Sequence, residues 1–393
     1  MPLDIRAVQH ALKADGLDAW LLYDFHGSNP VSFRLTGMAE SGHLATRRWF
    51  YLIPQSGEPR ALVHAIERYN LDHLPGSKIV YAGRTQLHAG LQTLLAGQKR
   101  VAMEYSPNCA IPYVSRVDAG TIELVRSLGV DVVSSGDLIQ QFEARWNEAQ
   151  LATHRAASEK LYRIKDQAYA EVTRRLRDGI PTTEYDIQQQ MVGWFKDEGL
   201  VADSAPCVSA QENAGNPHYL ASASAHRVIN RNELVLLDLW GKLATPGAVY
   251  ADITWMGFTG PVVPDRFAKA FAAIAAARDA AVTTVQGAAS AGREVRGFEA
   301  DAAARKVLID AGYEDGIMHR TGHSLGENVH GNGAHLDDYE THDERRLIPG
   351  SGFTIEPGLY YADFGVRTEI NMVWTSQGPE VTGPRQKAIL SLL

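Results

Sequence analysis

A chain of 393 residues is longer than one hydrophobic core ordinarily serves, so two domains are expected. The composition, 45% hydrophobic and 21% charged, is that of a globular protein, and a net charge of −8 with no long Lys/Arg block argues against a nucleic-acid partner. The only cysteines, Cys109 and Cys207, are too few and too far apart for a disulfide framework or a paired-thiolate metal site.

The opening residues MPLDIRAVQHALKADGLDAW carry charges throughout and have no apolar stretch leading to a small-residue cleavage site, so no secretory signal is read there. The Ala-rich stretch 268–288 is interrupted by Arg278 and Asp279 and reads as a soluble helix. The expectation is a cytoplasmic protein without a membrane partner. Ile5, Val8, Ala11 and Leu12 fall at helical spacing and predict a helix over 1–15, stopped at Gly16. DAWLLYD reads as a buried strand, and WFYLIPQSGEPRALVHA as two strands around a Ser-Gly-Glu-Pro turn. KIVYAG, RVAMEY and VDVVSS add three more, with helical segments between them, which makes an α/β domain up to about residue 140.

A long amphipathic helix from Trp146 to Asp178, ended by Gly179 and Pro181, opens a second domain; the boundaries are set at 1–143 and 144–393. Thr183-x-x-Asp186 resembles a capping box and starts a helix reaching about Gly199. The strand-like runs ELVLLDLWG and AVYADITWMGF follow, then helices over about 264–286 and 297–312, then FTIEPGLYY and GVRTEINMVWT. Helix–helix–strands occurs twice, an order that suggests structural duplication, although no sequence repeat accompanies it.

Four of these apolar strands hold a carboxylate: Asp238, Asp252, Glu356 and Glu369. A single such residue is commonly a solvated strand end or the partner of an arginine. Four of them are expensive to bury unless they are paired or bind metal. HRTGHSLGENVHG adds His319, His323 and His330 within twelve residues, and Gly322 and Gly326 favour extended or turning backbone over a helix there. One imidazole from this segment with four carboxylates forms an oxygen-rich cage suited to Mn²⁺, with Zn²⁺ or Co²⁺ as alternatives. Four negative charges exceed what one divalent ion neutralises, whereas two ions sharing a hydroxide would balance them and support hydrolysis.

In this order the residues resemble the pita-bread metallopeptidases, the group of methionine aminopeptidase, aminopeptidase P and Xaa-Pro dipeptidase. The carrying features are Asp238, the Asp252-Ile253-Thr254 context, His319 through His330, Thr354 to Tyr360, and Arg367 with Glu369. The resemblance covers roughly residues 150–380, and residues 1–140 look like the N-terminal domain of the Xaa-Pro and creatinase branches. It implies an α+β pita-bread catalytic domain behind an α/β creatinase-like domain. It implies that Asp238 binds one metal, that His323 and Glu356 bind the other, and that Asp252 and Glu369 bridge, with Glu356 also the general base. His218 and His330 would bind the scissile amide, and His319 and Arg367 would orient ligands. A homodimer is implied too, with an N-terminal aromatic such as Trp20 or Trp49 either reaching the partner or packing in the core.

Two departures stand out. Asp238 and Asp252 are fourteen residues apart, which reads as a loop insertion from Lys242 to Gly247. Where Xaa-Pro dipeptidases carry a carboxylate-binding arginine, this chain has His342, with Arg345 and Arg346 close by, so that one of these arginines substitutes or the segment is a solvated turn. The expected activity is hydrolysis of the Xaa-Pro bond, with proline-containing dipeptides or short peptides as substrate. An aminopeptidase acting on longer peptides and a hydrolase of another small amide are the alternatives.

Overall fold

Asp4 accepts hydrogen bonds from the N–H groups of Arg6 and Ala7 and so caps α1 (Ile5–Ala14), which buries Val8 and Leu12. In the computed structural model, residues 3–42 and 44–393 are described, so the first two residues of the helix expected over 1–15 lie outside the described residues. The chain divides into two compact units, one ending at Glu143 and one spanning Ala144–Leu393. Among the described residues, no helix is long and apolar enough to cross a membrane.

The first unit continues with β1 (Ala19–Asp24), α2 (Pro30–Leu35), α3 (Met38–Ser41), β2 (Trp49–Pro54), β3 (Arg60–His64), β4 (Ser77–Tyr81), α4 (Arg84–Leu95), β5 (Arg100–Met103), α5 (Ala119–Ser127), β6 (Asp131–Ser134) and α6 (Gly136–Glu143). The strands form one sheet in the order β4-β3-β2-β1-β5-β6, in which only β2 runs against its neighbours. Both central strands are buried along their whole length, which is why AWLLYD and WFYLIP read as unbroken apolar runs. Trp20 and Trp49 belong to this core, at 0% and 1% exposure. The Trp20 indole donates to Glu104 at 2.7 Å, and Asn29, Ser32 and Ser135 donate to the same buried carboxylate. Burial pushes the Glu104 pKa upward against these four donors.

The second unit opens with α7 (Glu148–Arg177), capped reciprocally by Asn147 and Gln150, and α8 (Glu184–Asp197), capped by Thr183 and Asp186. Then come β7 (Leu200–Val201), β8 (Cys207–Ala210), β9 (Leu234–Leu243) and β10 (Ala251–Phe258), followed by α9 (Asp265–Ser290) and α10 (Gly297–Asp310). Short strands complete the unit: β11 (Ser324–Leu325), β12 (Gly352–Ile355), β13 (Gly358–Tyr361), β14 (Phe364–Arg367), β15 (Ile370–Thr375), β16 (Gly378–Thr382) and β17 (Leu390–Ser391). One sheet runs β17-β10-β9-β7 with β8 also on β9, another runs β11-β12-β15-β16, and β13 pairs with β14 as a ribbon. Ala270, Ile274, Ala277, Ala281 and Val285 of α9 share a core with Leu236 and Met256 of one sheet and Phe353 and Ile355 of the other.

Two expectations change here. Glu356 and Glu369 are not inside strands. Each sits in a two-residue break, 356–357 and 368–369, where the hairpin partners switch: β12 pairs with β15 up to Ile355↔Ile370, and β13 with β14 from Gly358↔Arg367. Pro357 has no N–H to give to a ladder, and the break frees both carboxylates to turn inward. The segment read as a loop insertion also begins later, because β9 runs on through Leu243 and carries Lys242 within it.

His154 of α7 is fully buried, with its Nδ1 2.8 Å from the Tyr250 carbonyl and its Nε2 2.8 Å from the Thr382 hydroxyl. Burial pushes its pKa down to about 4. The folded protein therefore resists a proton that the unfolded chain accepts near pH 6.5, and stability is lost as pH falls from there toward 4. This group should remove about 3 kcal/mol between pH 7 and pH 4. Denaturant titrations of wild type and His154→Gln at the two pH values check it: the variant's stability should fall by about 3 kcal/mol less than that of wild type.

Candidate metal centre

The β9–β10 register pairs Asp238 with Thr254 and Trp240 with Asp252, which puts Asp238, Asp252 and Thr254 on one face of the hairpin. The Glu369 N–H donates to the Thr254 carbonyl at 3.2 Å and brings the β14–β15 break against that face. From the other side, the Thr354 N–H donates to the His323 carbonyl at 2.8 Å and the Glu356 N–H to the Thr321 carbonyl at 2.7 Å. Gly322 permits this approach: a Cβ there would lie 2.1 Å from the Thr354 carbonyl oxygen. As expected, the His319–His323 segment is not helical.

Ligand atoms of Asp252, His323 and Glu369 all lie within 4.8 Å of one another, and all three residues are buried. His323 Nδ1 is 3.1 Å from the Ser324 carbonyl and donates to it, which leaves the Nε2 lone pair facing Glu356 Oε1 at 3.4 Å and Asp252 Oδ2 at 3.7 Å. Thr254 joins the remaining pair: its hydroxyl is 2.7 Å from Glu369 Oε2 and 3.3 Å from Asp238 Oδ1, and it accepts from Arg367 Nε at 3.0 Å. Arg367 also donates to Asp238 and, at 3.1 Å, to the Tyr360 hydroxyl. That hydroxyl donates onward to His319 Nε2 at 2.7 Å, while His319 Nδ1 donates to the Arg320 carbonyl at 2.6 Å. The His330 ring stands edge-on to His323, with centroids 4.4 Å apart.

The electrostatics follow from burial and crowding. Burial first, then the neighbouring carboxylates Asp238 and Glu356, raise the Asp252 pKa far above the ordinary range. Glu369 is raised far above it by burial and then by Asp252. Glu356 goes the other way: burial opposes its charge, but His323, His319, Arg367 and Arg320 together hold its pKa low. Burial lowers His323 and His319, and it takes His330 to about 4 with help from the neighbouring His323, so all three rings are neutral near pH 7. Among the described residues, no donor reaches the buried oxygens Asp252 Oδ1 and Glu369 Oε1. Carboxylate oxygens buried without donors fit a bound cation, and the O₄N donor set suits a hard or borderline divalent ion.

Of the residues singled out in the sequence, Asp238, Asp252, His323, Glu356, Glu369, His319, His330 and Arg367 converge here. His218 stands outside this network; its ring is exposed, and its backbone N–H donates to Asn216 Oδ1 at 3.1 Å. The 342–346 segment is not a solvated turn at Arg345, which is buried and forked onto Asp343 at 2.9 and 2.6 Å with a third bond to the Asn332 carbonyl. Arg346 lies 3.5 Å from Glu294, and His342 is held by Asp338 at 2.7 Å and stacks on Phe298.

Sequence reading missed four contributors. Asn371 clamps the backbone of Asp252, accepting from its N–H at 3.0 Å and donating to its carbonyl. Tyr360 links Arg367 to His319, and Arg320 places a buried cation beside the histidines. Glu184, fully buried, gathers the loop that carries His218, accepting from Ala210 N at 2.7 Å, Asn213 Nδ2 at 3.0 Å, Arg227 N at 2.9 Å and the Tyr219 hydroxyl. A polar residue inside an apolar run was the available signal for Asn371; Glu184 looked like an ordinary first-turn glutamate.

A carboxylate–imidazole cage held between two mainly antiparallel sheets, with helices packed behind them, defines the pita-bread metallopeptidases. Residues 156–376 match metallopeptidase family M24, and the chain belongs to that family. It is 27% identical over 259 residues to the probable dipeptidase PepE of Mycobacterium tuberculosis, covering 65% of this chain and 63% of that relative. It is 30% identical over 245 residues to the Xaa-Pro dipeptidase of Lactobacillus delbrueckii subsp. lactis, covering 62% and 60%. The matched segment thus spans less than two thirds of these curated relatives. The crystal structure of dipeptidase PepE from Mycobacterium ulcerans aligns over 99% of this chain and 96% of its own, with a TM-score of 0.66 at 23% identity, which shows the shared fold.

Thr254→Val removes the hydroxyl between Glu369, Asp238 and Arg367 while keeping the strand-forming shape. Metal affinity should fall by about 10- to 100-fold, read by elemental analysis after dialysis against graded chelator. Unchanged occupancy would show that the hydroxyl does not orient the ligands.

Proposed function

We propose that the chain is a metal-dependent Xaa-Pro dipeptidase in which Asp238, Asp252, His323, Glu356 and Glu369 hold two divalent ions, Mn²⁺ fitting best and Zn²⁺ or Co²⁺ next. The observation that carries this reading is the convergence of Asp252, His323 and Glu369 ligand atoms within 4.8 Å around buried carboxylate oxygens that lack donors. Four carboxylates against the one guanidinium of Arg367 leave about three negative charges, which two divalent ions bring close to neutral. Ions held by these residues would supply Lewis acidity and would lower the pKa of a water toward neutrality.

The protein's own groups do the rest. Glu356 is the most exposed of the three cage carboxylates Glu356, Asp238 and Asp252, whose side chains are 15%, 13% and 7% exposed. A low pKa keeps it charged and ready to take the proton of the attacking water and pass it to the departing proline nitrogen. His330, neutral and beside His323, donates to the carbonyl oxygen as charge builds there. His218 fills the matching role from its loop once substrate is bound, with Glu184 setting the loop's path.

A dipeptide also presents a free carboxylate. Arg345 is forked onto Asp343 at hydrogen-bond distance, so the anchor is assigned to Arg320, which faces Asp337 at the longer distance of 3.7 Å and whose charge is felt by His323, His330 and Glu356. The family match and the Xaa-Pro dipeptidase among the relatives support the substrate class.

Three outcomes test the proposal. Exhaustive chelation should abolish hydrolysis of Ala-Pro and Mn²⁺ should restore it; full activity in protein shown to be metal-free would refute the mechanism. Ala-Pro should be cleaved far faster than Ala-Pro-Gly-Gly, and comparable efficiency on the longer peptide would make the enzyme an aminopeptidase. Arg320→Gln should raise KM for Ala-Pro by about tenfold or more, an ion-paired contact being worth about 1.5–3 kcal/mol, with little effect on KM for Ala-Pro-amide. Equal effects on both would remove Arg320 from carboxylate binding.

A further inference from the structure

The first unit contains a cavity of about 590 Å³ that the peptidase chemistry does not use. It lies at the carboxyl ends of β1, β3 and β4, marked by Tyr23 and Phe25, by His64, and by Tyr81 with Ala82 and Gly83; Arg47 and Arg48 precede the antiparallel β2 at the same edge. In sheets of mainly parallel strands this edge is where ligands collect, because the loops and helix N-termini that follow the strands converge there. The volume falls within the range of small-molecule sites.

Its walls are cationic and aromatic. Arg47, Arg48 and Arg84 line it together with Tyr23, Phe25 and Tyr81, and the Phe25 ring is 43% exposed. Among the described residues, neither Arg48 nor Arg84 forms an ion pair with a carboxylate. The one acid in the lining, Asp118, is occupied by the Tyr23 hydroxyl at 3.1 Å and by the Thr121 N–H and hydroxyl, both at 2.8 Å. His64 lies between the Ala82 carbonyl at 3.0 Å and the Ile66 N–H at 3.2 Å, its Nδ1 accepting from the latter. Three guanidiniums less one carboxylate leave the cavity with two positive charges, in a chain whose net charge is −8. α4 begins at the same point. Its N-cap is Gly83, which has no side chain to satisfy the N–H groups of the first turn, so these add an anion-binding end to the arginines.

We infer that this cavity is a second ligand site, for a small organic phosphate: a phosphomonoester whose dianion lies between Arg48, Arg84 and the start of α4, with a flat apolar body against Phe25 and Tyr23. The charge selects the class. A phosphate dianion cancels an excess of two, whereas a carboxylate leaves one charge over, and guanidiniums pair with phosphate oxygens in a fork that fits both. The inference does not rest on the peptidase reading.

Isothermal titration calorimetry of the full-length, metal-loaded chain tests it, with phenyl phosphate, inorganic phosphate and benzoate as probes. Phenyl phosphate should bind one per chain, at least tenfold tighter than benzoate and more tightly than inorganic phosphate. Arg84→Gln and Arg48→Gln should each weaken phenyl phosphate at least tenfold, and Phe25→Ala should weaken phenyl phosphate but not inorganic phosphate. Ala-Pro hydrolysis should be unchanged in all three variants. Arg84 is exposed on a helix end, so its variant keeps the fold, and Arg48→Lys, which preserves charge, should recover part of the affinity lost in Arg48→Gln. Benzoate binding as tightly as phenyl phosphate would overturn the phosphate assignment. Binding that ignores both arginine variants, or follows metal content instead, would place the phosphate at the metal cage and overturn the site.

Discussion

The second unit is organised by the mutual repulsion of four crowded carboxylates, three of them buried. Asp238, Asp252, Glu356 and Glu369 raise or resist one another's ionisation, and burial adds a desolvation penalty that no apolar neighbour relieves. Arg367 bonds directly to the cage and holds Asp238 and the Thr254 hydroxyl together. One guanidinium against four carboxylates is an imbalance that selects for bound cations, and the donorless oxygens of Asp252 and Glu369 show where it is greatest.

That constraint explains the irregularities of the surrounding backbone. An unbroken β12–β13 and β14–β15 hairpin would send Glu356 and Glu369 to faces fixed by strand alternation. Breaking both strands at the same level uncouples the two carboxylates from that alternation and lets a short ribbon of β13 and β14 carry Tyr360 and Arg367 to the site. Gly322, pressed against the Thr354 carbonyl, brings His323 close enough to face Glu356, and Asn371 fixes Asp252 by both its backbone groups. These features sit in the least regular part of the unit because regular strands would not bring the side chains to one point.

Much of this was legible in the sequence, for physical reasons. Long amphipathic helices, one with a cap at Thr183, declare themselves, and strands buried on both faces, such as AWLLYD, run apolar up to their closing residue, Asp24. Carboxylates inside such runs stand out because they are costly. The break beside Glu356 was hidden because FTI and GLYY are apolar on both sides of it, and Pro357 was its one visible sign. Arg345 was misjudged because its counter-ion, Asp343, lies two residues away in a run of charges that resembles a solvated turn. The roles of Asn371 and Glu184 depend on contacts 119 and up to 43 residues distant in sequence, which no local pattern encodes.

On the proposed reading one cage performs two opposed tasks, and the surroundings of its chemically similar groups differ in the way those tasks require. Ligands must stay fixed, which calls for deep burial and bonded oxygens; Asp252 and Glu369 are enclosed, and Thr254 holds one oxygen of Glu369. A proton carrier must instead reach substrate and keep its charge. Glu356 has a partly open face, one oxygen held by the Thr354 hydroxyl at 3.1 Å, and a pKa held low against burial, with Arg367 and Arg320 as the neighbours that stay charged at neutral pH. The same neighbours keep His330 neutral: burial and the adjoining His323 and Arg320 depress it while Glu356 opposes them, so that it can donate a hydrogen bond without bringing a full positive charge beside the cations the cage is built to hold. Identical carboxyl groups are thereby given different ionisation behaviour, set by where Arg320, Arg367 and the neutral imidazoles are held, and the proposed division of roles rests on that difference.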